Sequence, residues 1–243
     1  MFDLIAAKGL GDAIYMRALA LHLRKRCEPV TVFTGWPDAF LGSGVTVKPL
    51  SARTGAEDIR HCKYCLHCRM PEVPAYGMFE MACRQAGVLD PVELRADWSV
   101  TDQSFVKMVK QRAAGRPVLV YQPLKAVSGV EQKLAQPRAA AYLRWLEKSD
   151  HYRVKIGQGD GPCELDLTGR TTVAQAFDVA SAADLIFGEP CYLITLAQAT
   201  DKPYACMFAR AAQDAVQSRV RNLTPERFLA KPGAVLYDDG SSP

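Results

Sequence analysis

Gly9-Leu10-Gly11-Asp12 follows the apolar run Phe2-Asp3-Leu4-Ile5-Ala6-Ala7 and precedes a helical pattern from Ala13 to Lys25. A strand feeding a glycine turn that opens a helix is how α/β folds assemble a ligand site. Gly9 and Gly11 let the backbone approach a ligand closely, and the partial positive charge at the helix amino end favours an anion. With the neighbouring cation Lys8, they are the first candidate substrate contacts. Asp12 stands where turn becomes helix, a position for a helix cap or for a general base. The spacing departs from the dinucleotide fingerprint G-x-G-x-x-G, because Ile14 takes the place of the third glycine, which argues against a plain NAD site.

A second constellation is His61-Cys62-Lys63-Tyr64-Cys65-Leu66-His67-Cys68, five potential metal ligands in eight residues. The two-residue spacing of C-x-x-C points both sulfurs inward, so Cys62, Cys65 and Cys68 with a fourth ligand from His61, His67 or Cys83 would make a closed tetrahedral zinc site. Reduced structural thiols and a redox pair are the competing readings. If metal is bound, its role is to pin a long loop, since no open hydrolytic constellation accompanies it.

The elements that must position these residues follow from apolar runs and turn signals. Val30–Thr34 and Gly44–Leu50 read as strands after the first strand and helix, and residues 51–75 lose periodicity as a Cys-rich loop. Helical patterns follow at 77–86 and 102–113, with an extended stretch at 91–98 between them. Val118–Tyr121 opens a second series: a loop to Ala135, a helix over 138–148, a strand over 152–156 and a helix over 172–183. A strand over 184–188, a helix over 193–200, a strand over 203–208 and a weak last strand at 235–237 complete it. Repeated strand–helix units predict an α/β fold of two Rossmann-like, doubly wound domains facing across a cleft. The seam falls near residue 115, dividing the chain into 1–114 and 115–243.

With 243 residues and a formal net charge of +4, the chain is long enough for a sizeable core and only mildly basic. An anionic substrate is permitted and nucleic acid is not demanded. No window reaches the ~20 apolar residues of a membrane span. Met1 leads straight into the first strand, so a signal peptide is not expected and the cytoplasm is the expected compartment.

Gly9-Leu10-Gly11-Asp12 with Met16-Arg17-Ala18-Leu19 resembles the opening of glycosyltransferase family 9, the heptosyltransferases of the GT-B fold. The segments Leu165-Asp166-Leu167-Thr168-Gly169-Arg170-Thr171-Thr172, Ala182-Ala183-Asp184-Leu185-Ile186-Phe187-Gly188, Leu196-Ala197-Gln198-Ala199 and Lys202-Pro203 are similar to the family's carboxyl-terminal half. The resemblance implies that Asp12 is the base that deprotonates an acceptor hydroxyl while a nucleoside diphosphate leaves. It also implies that Lys125 or Lys133, after the strand Val118–Tyr121, steadies the phosphates; solvated surface lysines are the competing reading. The chain departs from the family at the donor loop, where members carry Asp-Ser-Gly-Pro and a histidine: in Gly188-Glu189-Pro190-Cys191 the aspartate position is Pro190, and Thr195 takes the histidine position. Glu189 is then the carboxylate left to bond sugar or ribose hydroxyls.

The expected activity is transfer of a sugar from a nucleotide-sugar donor to an acceptor hydroxyl, on a lipopolysaccharide core sugar or a modified DNA base. The alternatives are a non-catalytic nucleotide- or sugar-binding or structural protein of the same fold, such as a phage-associated one, and a metal-stabilised nucleic-acid binder built on Cys62–Cys68. Of the aromatic residues, Trp36 is placed best to stack on a sugar, at the carboxyl end of the second strand; packing is the competing reading for it, Trp98 and Trp145.

Overall fold

The computed structural model describes residues 2–6, 9–52, 59–61, 77–123, 140–208 and 225–237. Two all-parallel sheets organise them. The first is built from β1 (Phe2–Ile5), β2 (Val30–Thr34), β3 (Thr46–Pro49) and β4 (Ile59–His61), in the order β3-β2-β1-β4. The second is built from β5 (Val118–Tyr121), β6 (Tyr152–Lys155), β7 (Leu165–Asp166), β8 (Leu185–Gly188), β9 (Tyr204–Phe208) and β10 (Ala234–Tyr237), in the order β7-β6-β5-β8-β9-β10. Counted from its own first strand, the second sheet has the dinucleotide-fold order 3-2-1-4-5-6, and the first sheet has its 3-2-1-4 portion.

The helices are α1 (Leu10–Lys25), α2 (Met78–Gln85), α3 (Gln103–Ala113), α4 (140–147), α5 (Val173–Ser181), α6 (Tyr192–Ala199) and the single turn α7 (Pro225–Phe228). Buried parallel strands show side chains to both faces, and β5 divides accordingly. Val118 and Val120 enter the large core that also holds α1, α5 and α6, whereas Leu119 and Tyr121 pack with Tyr142 and Leu146 of α4. On that second face Phe187 stacks against Tyr142 and Trp145, with ring centroids 4.3 and 4.0 Å away. Trp145 is therefore a packing residue.

α1 is buried continuously from Ala13 to Ala20. A helix enclosed on all sides needs neighbours on all sides, and α1 has β1 and β2 of the first sheet on one flank and α6 on another. One core cluster consequently runs from Leu4 and Val32 through α1 to Leu193, Ile186 and Val120. α3 precedes the expected seam at residue 115 and packs on α5 and β5.

Two elements differ from the sequence reading. The stretch 51–75, read as loop, contains β4, which pairs in parallel with Asp3, Leu4 and Ile5 of β1. α1 begins at Leu10 rather than Ala13, because Gly9 serves as its N-cap and both following residues join the first turn. Among the described residues no helix is long and apolar enough to cross a membrane.

Candidate active site

In sheets of this order ligands bind outside the carboxyl ends of the strands, where the winding direction reverses. Those points lie at β1 against β4 and at β5 against β8. β1 leads into the Gly9–Asp12 turn and α1, and β8 leads through Gly188–Cys191 into α6. The two helix openings meet. A Cβ built on Gly11 would stand 3.5 Å from Thr195 Oγ1 and 3.7 Å from Tyr192 Cα, so the first turns of α1 and α6 lie against one another. Helix amino ends carry partial positive charge, and two of them converge on one place.

Asp12 occupies the third position of α1, and its Oδ2 accepts the Gly9 backbone N–H at 3.2 Å. A Cβ on Gly9 would lie 2.8 Å from that same oxygen, so the carboxylate is folded closely back onto the turn in capping-box fashion. Burial raises the Asp12 carboxyl to about 6, against the opposing effect of the Gly9 hydrogen bond. A carboxylate titrating there holds a proton with useful strength near neutrality, which suits a general base. The helix-cap and general-base roles are compatible in this geometry, because the Gly9 bond occupies one oxygen.

Across the contact, Thr195 is 1 % exposed, and its hydroxyl donates to the Cys191 carbonyl at 3.2 Å. At the position where the family resemblance expects a histidine, the side chain is turned into its own helix. Glu189 is half-buried in the turn between β8 and α6. That turn is tight: a Cβ on Gly188 would meet Cys191 Sγ at 3.3 Å. At the end of β5, Gln122 lies along Gly157, whose φ is +97°, and its buried Oε1 has no hydrogen-bond partner among the described residues. A buried acceptor left unpaired costs about 1–3 kcal/mol. The sequence reading did not single out Gln122; its only signal was its place just past a buried strand.

No protein-family model matches the chain, and no curated protein sequence does. Solved structures do. The chain superposes on ADP-heptose LPS heptosyltransferase II of Escherichia coli with a TM-score of 0.63 at 13% identity, over 99% of this chain and 93% of that one. It is similar to a glycosyl transferase family 9 structure from Veillonella parvula, with a TM-score of 0.60 at 8% identity, over 97% and 84% of the two chains. The fold is that of the family 9 glycosyltransferases. The iron-containing dodecameric glycosyltransferase TibC of enterotoxigenic E. coli is a third neighbour, with a TM-score of 0.53 at 15% identity. There the match covers 85% of this chain and 57% of that one. At such identities it is architecture that is shared.

Within this heptosyltransferase-like fold the structure puts Gly11 at the contact between α1 and α6, Gly9 and Asp12 in the turn that opens α1, and Glu189 in the turn that opens α6. Lys8, Lys125, Lys133, Cys62, Cys65 and Cys68 lie outside the described residues. His61 closes β4. Trp36 is half-buried after β2, where its backbone N–H donates to Thr34 Oγ1 at 2.9 Å, and its ring packs against the core.

Proposed function

We propose that this protein transfers a sugar from a nucleotide-sugar donor to an acceptor hydroxyl. The observation that carries the reading is the meeting of two helix amino ends beside Asp12, whose carboxyl burial raises to about 6. Asp12 takes the proton of the acceptor hydroxyl, whose oxygen attacks the anomeric carbon. The bond from that carbon to the phosphate oxygen breaks, and the nucleoside diphosphate carries away the electron pair. The dianionic leaving group develops charge where helix amino ends and cations stabilise it; Lys8, Lys125 and Lys133 are the proposed cations. Gly9 and Gly11 give the ligand room, and Glu189 accepts hydroxyl groups of sugar or ribose.

In this reading residues 1–114 carry the acceptor side and residues 115–243 the donor side. The acceptor is a lipopolysaccharide core sugar or a modified DNA base, and the reaction runs in the cytoplasm. Cys62, Cys65 and Cys68 hold a structural zinc that pins the acceptor-side loop. One observation favours a second reading, a sugar- or nucleotide-binding protein without turnover: Thr195 spends its hydroxyl on its own helix where the resemblance expects a histidine.

Incubation with ADP-, GDP- and UDP-sugars, followed by assay of released nucleoside diphosphate, separates the two. Transfer predicts release that Asp12→Asn abolishes while the variant still binds the donor. Donor binding without release supports the second reading, and release unchanged in Asp12→Asn refutes Asp12 as the base.

A further inference from the structure

Among the described residues two charged side chains are wholly buried in the core, and neither has an ion-pair partner in contact there. Arg17 of α1 is 1 % exposed and Asp178 of α5 is 0 % exposed. Burying a lone charge is costly unless hydrogen bonds replace its water, and here one stretch of chain supplies most of them. Residues 94–102 cross from the unit built on the first sheet to the unit built on the second. Arg17 Nε donates to the Ala96 carbonyl at 2.5 Å and Nη2 to the Asp97 carbonyl at 3.2 Å. Its Nη1 donates to the carbonyls of Ala39 and Leu41, at 3.0 and 2.9 Å, tying the turn after β2 to the same point.

Asp178 receives the other end of the crossing. Its Oδ1 accepts the Trp98 indole N–H and the Thr101 backbone N–H, both at 3.0 Å. Its Oδ2 accepts the Thr101 hydroxyl at 2.7 Å and the Asp102 backbone N–H at 2.8 Å. Trp98 joins the two grips: the Arg17 guanidinium lies 5.1 Å from its ring centroid, and Phe177 meets its ring edge-on at 4.8 Å. Between them the Ala96 N–H donates to Ala199 O at the end of α6, at 2.7 Å. One short strap is thus fastened to α1, α5 and α6.

We infer that Arg17, Trp98 and Asp178 are positioning residues that hold the two units at the spacing which sets the first turn of α1 against the first turn of α6. The strap is a fixed fastening. Motion between the units that opens the α1–α6 contact has to break charge-assisted hydrogen bonds made by side chains buried from solvent. The value of this spacing for catalysis rests on the transfer reading above; the fastening itself does not.

The test is residue-resolved amide hydrogen exchange on the full chain, far below its melting temperature, for wild type and Asp178→Asn. The asparagine keeps the shape but turns an amide N–H2 toward the donors on one side. Expected is at least tenfold faster exchange at Thr101 and Asp102, together with at least threefold faster exchange at Ala13 and Thr195. Those last two amides close the first turns of α1 and α6 by bonding Gly9 O and Cys191 O. Val120, in the centre of β5, stays unchanged. Acceleration confined to 101–102, no acceleration at all, or equal acceleration at Val120 each overturns the inference. Should Asp178→Asn fail to fold, Trp98→Phe removes one N–H and keeps the ring, and the same pattern at half the size or more is required of it. Exchange needs no substrate, so this result is independent of whether sugar transfer is found.

Discussion

Replacing Asp12 by asparagine should make the protein more stable, by an amount that depends on pH. The carboxyl stands at about 6 in the folded chain against an ordinary 3.8, because burial disfavours its charge. A raised value means that the native state keeps a proton which the unfolded chain releases between those two pH values. Stability is therefore lost as pH climbs through that window and stays lost above it. From the difference of the two values the ceiling on the loss is about 3 kcal/mol above pH 7, about 1.5 kcal/mol at pH 5 and about 0.5 kcal/mol at pH 4. Asparagine carries no charge and retains an oxygen for the Gly9 N–H, so Asp12→Asn recovers most of that loss. Urea unfolding of both proteins at pH 4, 5 and 8 measures it directly. A gain in midpoint that grows with pH at constant m-value is expected. A variant equally stable at all three pH values, or less stable at pH 8, would show that Asp12 is well solvated and would remove the physical basis for its role as a base.

The same titration governs turnover: with the ionised carboxylate as the active form, kcat/KM for donor-dependent transfer should rise about tenfold per pH unit below about 6 and level off above it. Gly11→Ala places its methyl at ordinary contact distance from Thr195 and Tyr192 inside a helix. It should gain about 0.5–1 kcal/mol in stability while slowing transfer, since the gap left by the glycine closes; calorimetry and the release assay check the two halves. Asp178→Ala strands three N–H groups and a hydroxyl in the core and should cost about 3–5 kcal/mol in denaturant unfolding. Elemental analysis of the purified chain should find about one zinc per molecule, lost on Cys62→Ser; iron in its place would assign the cluster to a different metal, and neither metal would leave the cysteines as plain thiols.

Much of the architecture was readable because buried parallel strands announce themselves as short apolar runs between turns. β2 and β5 begin and end where those runs do. β4 and β7 did not show, for a reason common to both. Each owes its conformation to a neighbour, β4 to β1 and β7 to β6, and such short pairings leave no period in the sequence. The start of α1 was misplaced because a glycine pair discourages helix by propensity, and tertiary contact with α6 overrides that. The Gly9–Asp12 turn was legible from its strand–glycine–helix context, but the burial behind the raised Asp12 carboxyl depends on α1's enclosure, which no local pattern records. Arg17 and Asp178 did leave a trace: each interrupts an apolar helical run, Tyr15-Met16-Arg17-Ala18-Leu19 and Phe177-Asp178-Val179. A charge placed so inside a helix's buried face asks for partners from elsewhere in the chain, and only the fold names them.

The continuous core around α1 has a bearing on how the molecule comes into being. Since the helix that follows the first strand is lined by side chains synthesised some 170 residues later, the early half has nothing to close over it as it leaves the ribosome. Severed at residue 114, the gene should yield two pieces that each expose a sticky flank and recover their shape only when mixed. Evolution can then exchange neither half for a foreign one without redrawing both sides of that shared wall.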